Sequence, residues 1–112
     1  MYIVYDLIIG NILLSKNRNS ISKDELNKLI NSIYEELPDD WYPYGDYPIL
    51  ESFLYDYSFL VEECGNEIII KKNMKILERY FRIGVPKKLV SICNRVVNIE
   101  TNKTKLLVKK GI

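Results

Sequence analysis

Residues 22–37, SKDELNKLINSIYEEL, leave the chain little choice but an amphipathic α-helix. Ser22 and Glu25 form a capping box, in which the serine hydroxyl accepts the N3 amide while the glutamate reaches back to the amide of Ser22. Leu26, Leu29, Ile30, Ile33, Tyr34 and Leu37 then recur at steps of three and four, so they fall on one stripe. Pro38 cannot donate the next amide hydrogen and ends the helix. A helix with one apolar stripe needs neighbours to cover it, and 112 residues suffice for a single domain over 1–112 without a metal or disulfide staple.

The neighbours can be read from the same kind of pattern. Residues 7–14 are apolar closely enough for a mostly buried first helix, with a strand at 2–5 as an alternative before it; residues 16–20 interrupt the pattern. In 38–46, prolines and a glycine are expected to deny regular structure, with the aromatics packing back on the core. Asp46 and Pro48 fit the start of a third helix carrying Ile49, Leu50, Phe53, Leu54 and Tyr57. Residues 59–72, FLVEECGNEIIIKK, read as a hairpin about Gly65-Asn66, a dipeptide suited to a two-residue turn, with Glu62, Glu63 and Glu67 close to it. Met74, Ile76, Leu77, Tyr80 and Phe81 describe another helix, stopped by Gly84. Beyond Pro86, Leu89, Val90, Cys93, Val96 and Val97 fit a further helix, while 96–100 and 105–109 also fit the arms of a second hairpin; both remain open at this point. The fold class expected is α+β.

At 47% hydrophobic and 28% charged residues, the chain is too apolar for disorder and too interrupted by charge for a membrane span. The apolar run 6–14 has neither the basic flank nor the cleavage pattern of a signal peptide, so a cytoplasmic location is expected. There is no histidine, and Cys64 and Cys93 have no metal-ligand spacing and are expected to be buried free thiols. With no glycine-rich phosphate loop, no nucleophile elbow and only the weak Asp39-Asp40 pair for a cation, no catalytic residue, metal or cofactor is expected.

The near-zero net charge conceals a polarity. Residues 1–70 carry four basic side chains against thirteen acidic ones, and residues 71–112 carry twelve against Glu78 and Glu100. Such asymmetry points to a nucleic-acid or acidic-partner surface. The candidates are Asn66 at the turn; Lys71, Lys72, Asn73 and Lys75 where the hairpin ends; Arg79 and Arg82, three apart on one helix; and Lys87 and Lys88, where helix-start amides add a phosphate contact. Arg95, Lys103, Lys105, Lys109 and Lys110 complete the basic set. The competing reading has Lys71 and Lys72 pairing with Glu62 and Glu63, and Arg79 and Arg82 answering the acidic third helix inside the fold.

Helix, a short extended stretch at 19–21, a capped helix, a connection, a helix and a hairpin: over residues 7–72 this order resembles the winged helix-turn-helix family. The resemblance implies that 22–37 is the supporting helix, 48–57 the recognition helix and 59–72 the wing. Two departures stand out. The implied recognition helix offers Asp46, Glu51 and Asp56 and no cation to pass the phosphates, and its connection of about ten residues exceeds a helix-turn-helix turn. Duplex DNA is therefore expected to meet the wing and the basic C-terminal half. Residue composition is also similar to that of small proteins of phages and conjugative plasmids in low-GC Gram-positive bacteria, some of them winged-helix accessory factors. A regulator or accessory factor is expected, as a homodimer using the N-terminal helix. The alternative is a protein-binding module, an inhibitor or immunity protein of a mobile element, whose acidic surface with Tyr42, Tyr44, Tyr47, Tyr55 and Tyr57 covers a basic partner. Those tyrosines are less suited to stacking on unpaired bases, because their neighbours are acidic.

Overall fold

Ser22 joins a strand to a helix. It is the last residue of β2 (Ser20–Ser22), and its hydroxyl accepts the Glu25 amide at 3.1 Å to start α2 (Lys23–Glu36). The Glu25 carboxylate pairs with Lys16 instead of closing the box. Leu26, Leu29, Ile30 and Ile33 form the buried face of α2, as the stripe requires.

The computed structural model describes residues 2–44 and 49–110, with side chains in the last helix as far as Lys103. In chain order the elements are β1 (Tyr2–Val4), α1 (Tyr5–Lys16), β2, α2, β3 (Tyr42–Tyr44), α3 (Ile49–Asp56), β4 (Val61–Cys64), β5 (Glu67–Ile70), α4 (Met74–Phe81) and α5 (Lys87–Lys110). The fold is α+β, with five helices and two small sheets among the described residues. The hairpin β4–β5 turns at Gly65, whose φ of 60° falls in the left-handed region, and β2 adds to it antiparallel in the order β2-β5-β4. The pair Ile21↔Ile68 lies on the buried face of this sheet.

Two expectations need correction. Residues 42–44, placed in an irregular connection, pair in parallel with β1, Tyr2 opposite Tyr42 and Val4 opposite Tyr44. Pro43 is tolerated because a two-stranded ribbon is all edge. Trp41 packs on the core, but Tyr42 and Tyr44 are exposed. The N-terminal helix, expected as a dimer element, is taken up by the core of its own chain. α1 packs against α2, α3, α4 and α5, and its Ile8, Ile9, Ile12 and Leu13 are buried. The Asp46 cap and Pro48 lie outside the described residues.

The choice left open for 96–110 resolves as helix, continuous with 87–95. Ion pairs hold α5 on α2: Arg95 with Glu36 at 2.9 Å and Lys28 with Glu100 at 3.4 Å. At the α1–α4 crossing the Phe81 ring lies so close over Gly10 that a Cβ there would clash with it. Both Gly10 and the Asn11 amide beside it are buried there.

Candidate nucleic-acid interface

The folded chain divides the candidate residues into three groups. The first lies at the hairpin turn. Asn66 donates its side-chain amide to Asp24 Oδ2 at 3.3 Å, and its carbonyl accepts the Lys23 amide at 2.8 Å, pinning the turn to the start of α2. β2 pairs with β5 from Ser20↔Ile69 to Ser22↔Glu67, so the hairpin does not project beyond its sheet. Its exposed charged side chains are Glu62, Glu63 and Glu67, and Glu63 binds Lys23 at 2.5 Å. Lys71 and Lys72 leave from the opposite end of β5.

The second group performs structural work. Asn73 caps α4, its Oδ1 accepting the Ile76 amide at 3.1 Å. Lys71 donates its ammonium to the Ser58 carbonyl at 3.1 Å. Arg82 is half-buried, and its Nε donates to Asn11 Oδ1 at 2.5 Å; Asn11 in turn donates to the carbonyls of Leu7 and Phe81 at 2.8 and 2.9 Å. Asn11 is thus fully engaged inside the core, and Arg82 holds it there rather than standing free for a phosphate. The polar position inside an otherwise apolar first helix was a signal for this network that sequence reasoning passed over. Gly10 was another.

The third group is Lys72, Lys75, Arg79, Lys87 and Lys88. All five are exposed, and none forms an ion pair among the described residues. α4 turns Leu77 and Phe81 inward, which leaves Lys75 and Arg79, four apart, on the outer face. Lys75, Arg79 and the edge of Arg82 line one shallow groove together with Glu78 and Ile83. The cations that do pair with carboxylates lie elsewhere: Lys16, Lys23, Lys28, Arg95 and Lys103. Side chains of Lys105, Lys109 and Lys110 lie outside the described set.

The α3 face has the opposite sign. A groove between α2 and α3 has an apolar floor of Ile30, Leu50 and Leu54 with Glu51, Glu63 and Lys23 at its rim; across α3 a second, more open one is lined by Tyr55, Asp56, Glu62 and Glu63, with Lys71 as its one cation among the described residues. Tyr55 is 84% exposed.

Of the two thiols, Cys93 is buried and Cys64, contrary to expectation, is exposed. Burial pushes the Cys93 thiol up to about 12, against a smaller lowering effect of the Arg82 charge. Among the described residues no cluster of His, Cys, Asp and Glu could hold a metal ion, and no helix is long and apolar enough to cross a membrane. No protein-family model matches the chain, and comparisons with curated proteins and with solved structures find no match.

Proposed function

We propose that this chain is a non-catalytic DNA-binding regulator or accessory protein of winged-helix type, acting in the cytoplasm, that grips duplex backbone through α4 and the first turn of α5. The sheet order β2-β5-β4 behind α1, α2 and α3 supports the winged-helix part of the reading. The observation that carries the DNA part is electrostatic. Residues 71–88 hold seven cations and one carboxylate, Glu78, and none of the seven is bonded to a carboxylate among the described residues. Unpaired cations clustered on one helix and its flanks suit a polyanion, whose condensed counterions they displace.

The hairpin and α3 are not the contact surfaces in this proposal, because Glu51, Asp56, Glu62, Glu63 and Glu67 would repel phosphate. A homodimer would double the contacts and steepen the salt dependence. The test is binding of a random-sequence duplex by Lys75→Ala/Arg79→Ala and by Glu62→Gln/Glu63→Gln. The first pair is expected to weaken binding and the second to leave it unchanged or strengthen it; the reverse order would refute the assignment of the face. A second reading is favoured by Tyr55, an exposed aromatic on an acidic rim suited to anchoring a basic protein. In that case Tyr55→Ala weakens a protein complex and no duplex is bound.

A further inference from the structure

The aromatic side chains beside α4 form a graded stack. Phe53 and Phe81 are buried at the bottom; Tyr57 packs on them with ring centroids at 4.9 and 5.1 Å. Above Tyr57 stand Phe59 at 6.0 Å and Tyr80 at 6.4 Å, which meet each other edge to face at 5.3 Å. These last two rings are 45% and 47% exposed. A single aromatic at a surface is ordinary. Two in contact, rooted in a buried aromatic layer that fixes their orientation, make a preformed apolar ledge.

Each of the two rings has a cation near it along the chain. Lys71 is held on the carbonyl of Ser58, the residue before Phe59, and Arg79 precedes Tyr80 on α4. A fully paired duplex offers phosphates to the cations but keeps its base faces stacked, so the rings would go unused. An unpaired nucleotide offers both a charge and a π-face. We infer that the α4 site takes DNA carrying an unpaired base, which stacks on Phe59 and Tyr80 while the adjoining phosphates follow Lys75 and Arg79. This rests on the assignment of α4 as the backbone-gripping face.

Fluorescence anisotropy on the full chain with three labelled probes tests this: a blunt duplex, the same duplex with a single-stranded tail, and the same duplex with an abasic tail of equal length. The tailed duplex is expected to bind about 5-fold to 150-fold more tightly than the blunt one, the range that stacking one base provides. The abasic tail, which keeps the phosphates and lacks the bases, is expected to lose most of that gain, as is Tyr80→Ala on the tailed probe. Equal affinity for normal and abasic tails would overturn the inference, because charge alone would then explain the preference. Equal affinity for blunt and tailed duplexes would overturn it as well, while leaving the duplex-binding proposal standing. If none of the three probes bound, both would fall. The abasic comparison uses the unaltered protein, so it decides even if Tyr80→Ala fails to fold.

Discussion

Arg79 and Arg82 look equivalent in the sequence, three apart on one helix, yet the fold gives them different work. Arg82 is committed to Asn11, 71 positions away, and Arg79 is left in solvent. Arg82→Ala strands a buried amide oxygen and should cost about 1–3 kcal/mol in urea unfolding. Arg79→Ala should leave stability within about 0.5 kcal/mol and weaken DNA binding. Equal losses of stability would show that the buried network is not what separates them. Gly10→Ala drives a methyl into the Phe81 ring and should cost about 1–3 kcal/mol, part of it recovered in Gly10→Ala/Phe81→Leu. The thiols make a further residue-scale test. At pH 8 a thiol reagent should titrate one cysteine, Cys64, in the native chain and both in denaturant. Because the Cys93 pKa is raised in the fold from 9.0 to about 12, its contribution to stability is complete below pH 9 and is lost as the pH rises toward 12. A calorimetric scan across that window should show Cys93→Ala less sensitive to alkali than the unaltered chain. None of these partners is legible in the sequence, since each is fixed by a long-range contact.

Elements were more legible than residues where local chemistry decides them. The Ser22 cap, the stripe of α2 and the turn at Gly65 are set within a few positions, and all three form, except that Tyr34 of the expected stripe stands exposed. Ser22→Ala should cost about 1 kcal/mol, read as a shift in the urea midpoint at unchanged slope; no shift would mean that the β2–β5 pairing alone starts α2. What was not legible depends on tertiary partners. Val96, Val97 and Thr101 favour strands as readily as helices, and α5 continues through them under ion pairs to Glu36 and from Lys28. β3 is a strand because β1 lies beside it in parallel, a pairing with no local signal across nearly forty residues. The hairpin was legible as a hairpin, but not the hydrogen bonds that pin its exposed turn to the start of α2. They depend on Lys23 and Asp24 reaching Asn66 across the sheet.

At the scale of the molecule, charge polarity along the chain survives folding in altered form. Carboxylates of the acidic first part take up Lys16 and Lys23 together with Arg95 from α5, and Glu100 of α5 takes up Lys28 and Lys103, while the cations of 71–88 go without carboxylate partners among the described residues. The expectation that the cations gather at the turn is replaced by a face on α4, with carboxylates left exposed on α3 and the hairpin. The slope of log affinity against log salt concentration for a random-sequence duplex reads that separation. A steep negative slope is expected, becoming shallower by about 1.8 in Lys75→Ala/Arg79→Ala, roughly 0.9 for each phosphate contact removed. A slope that is flat in the unaltered protein, or that is the same in both, would contradict it.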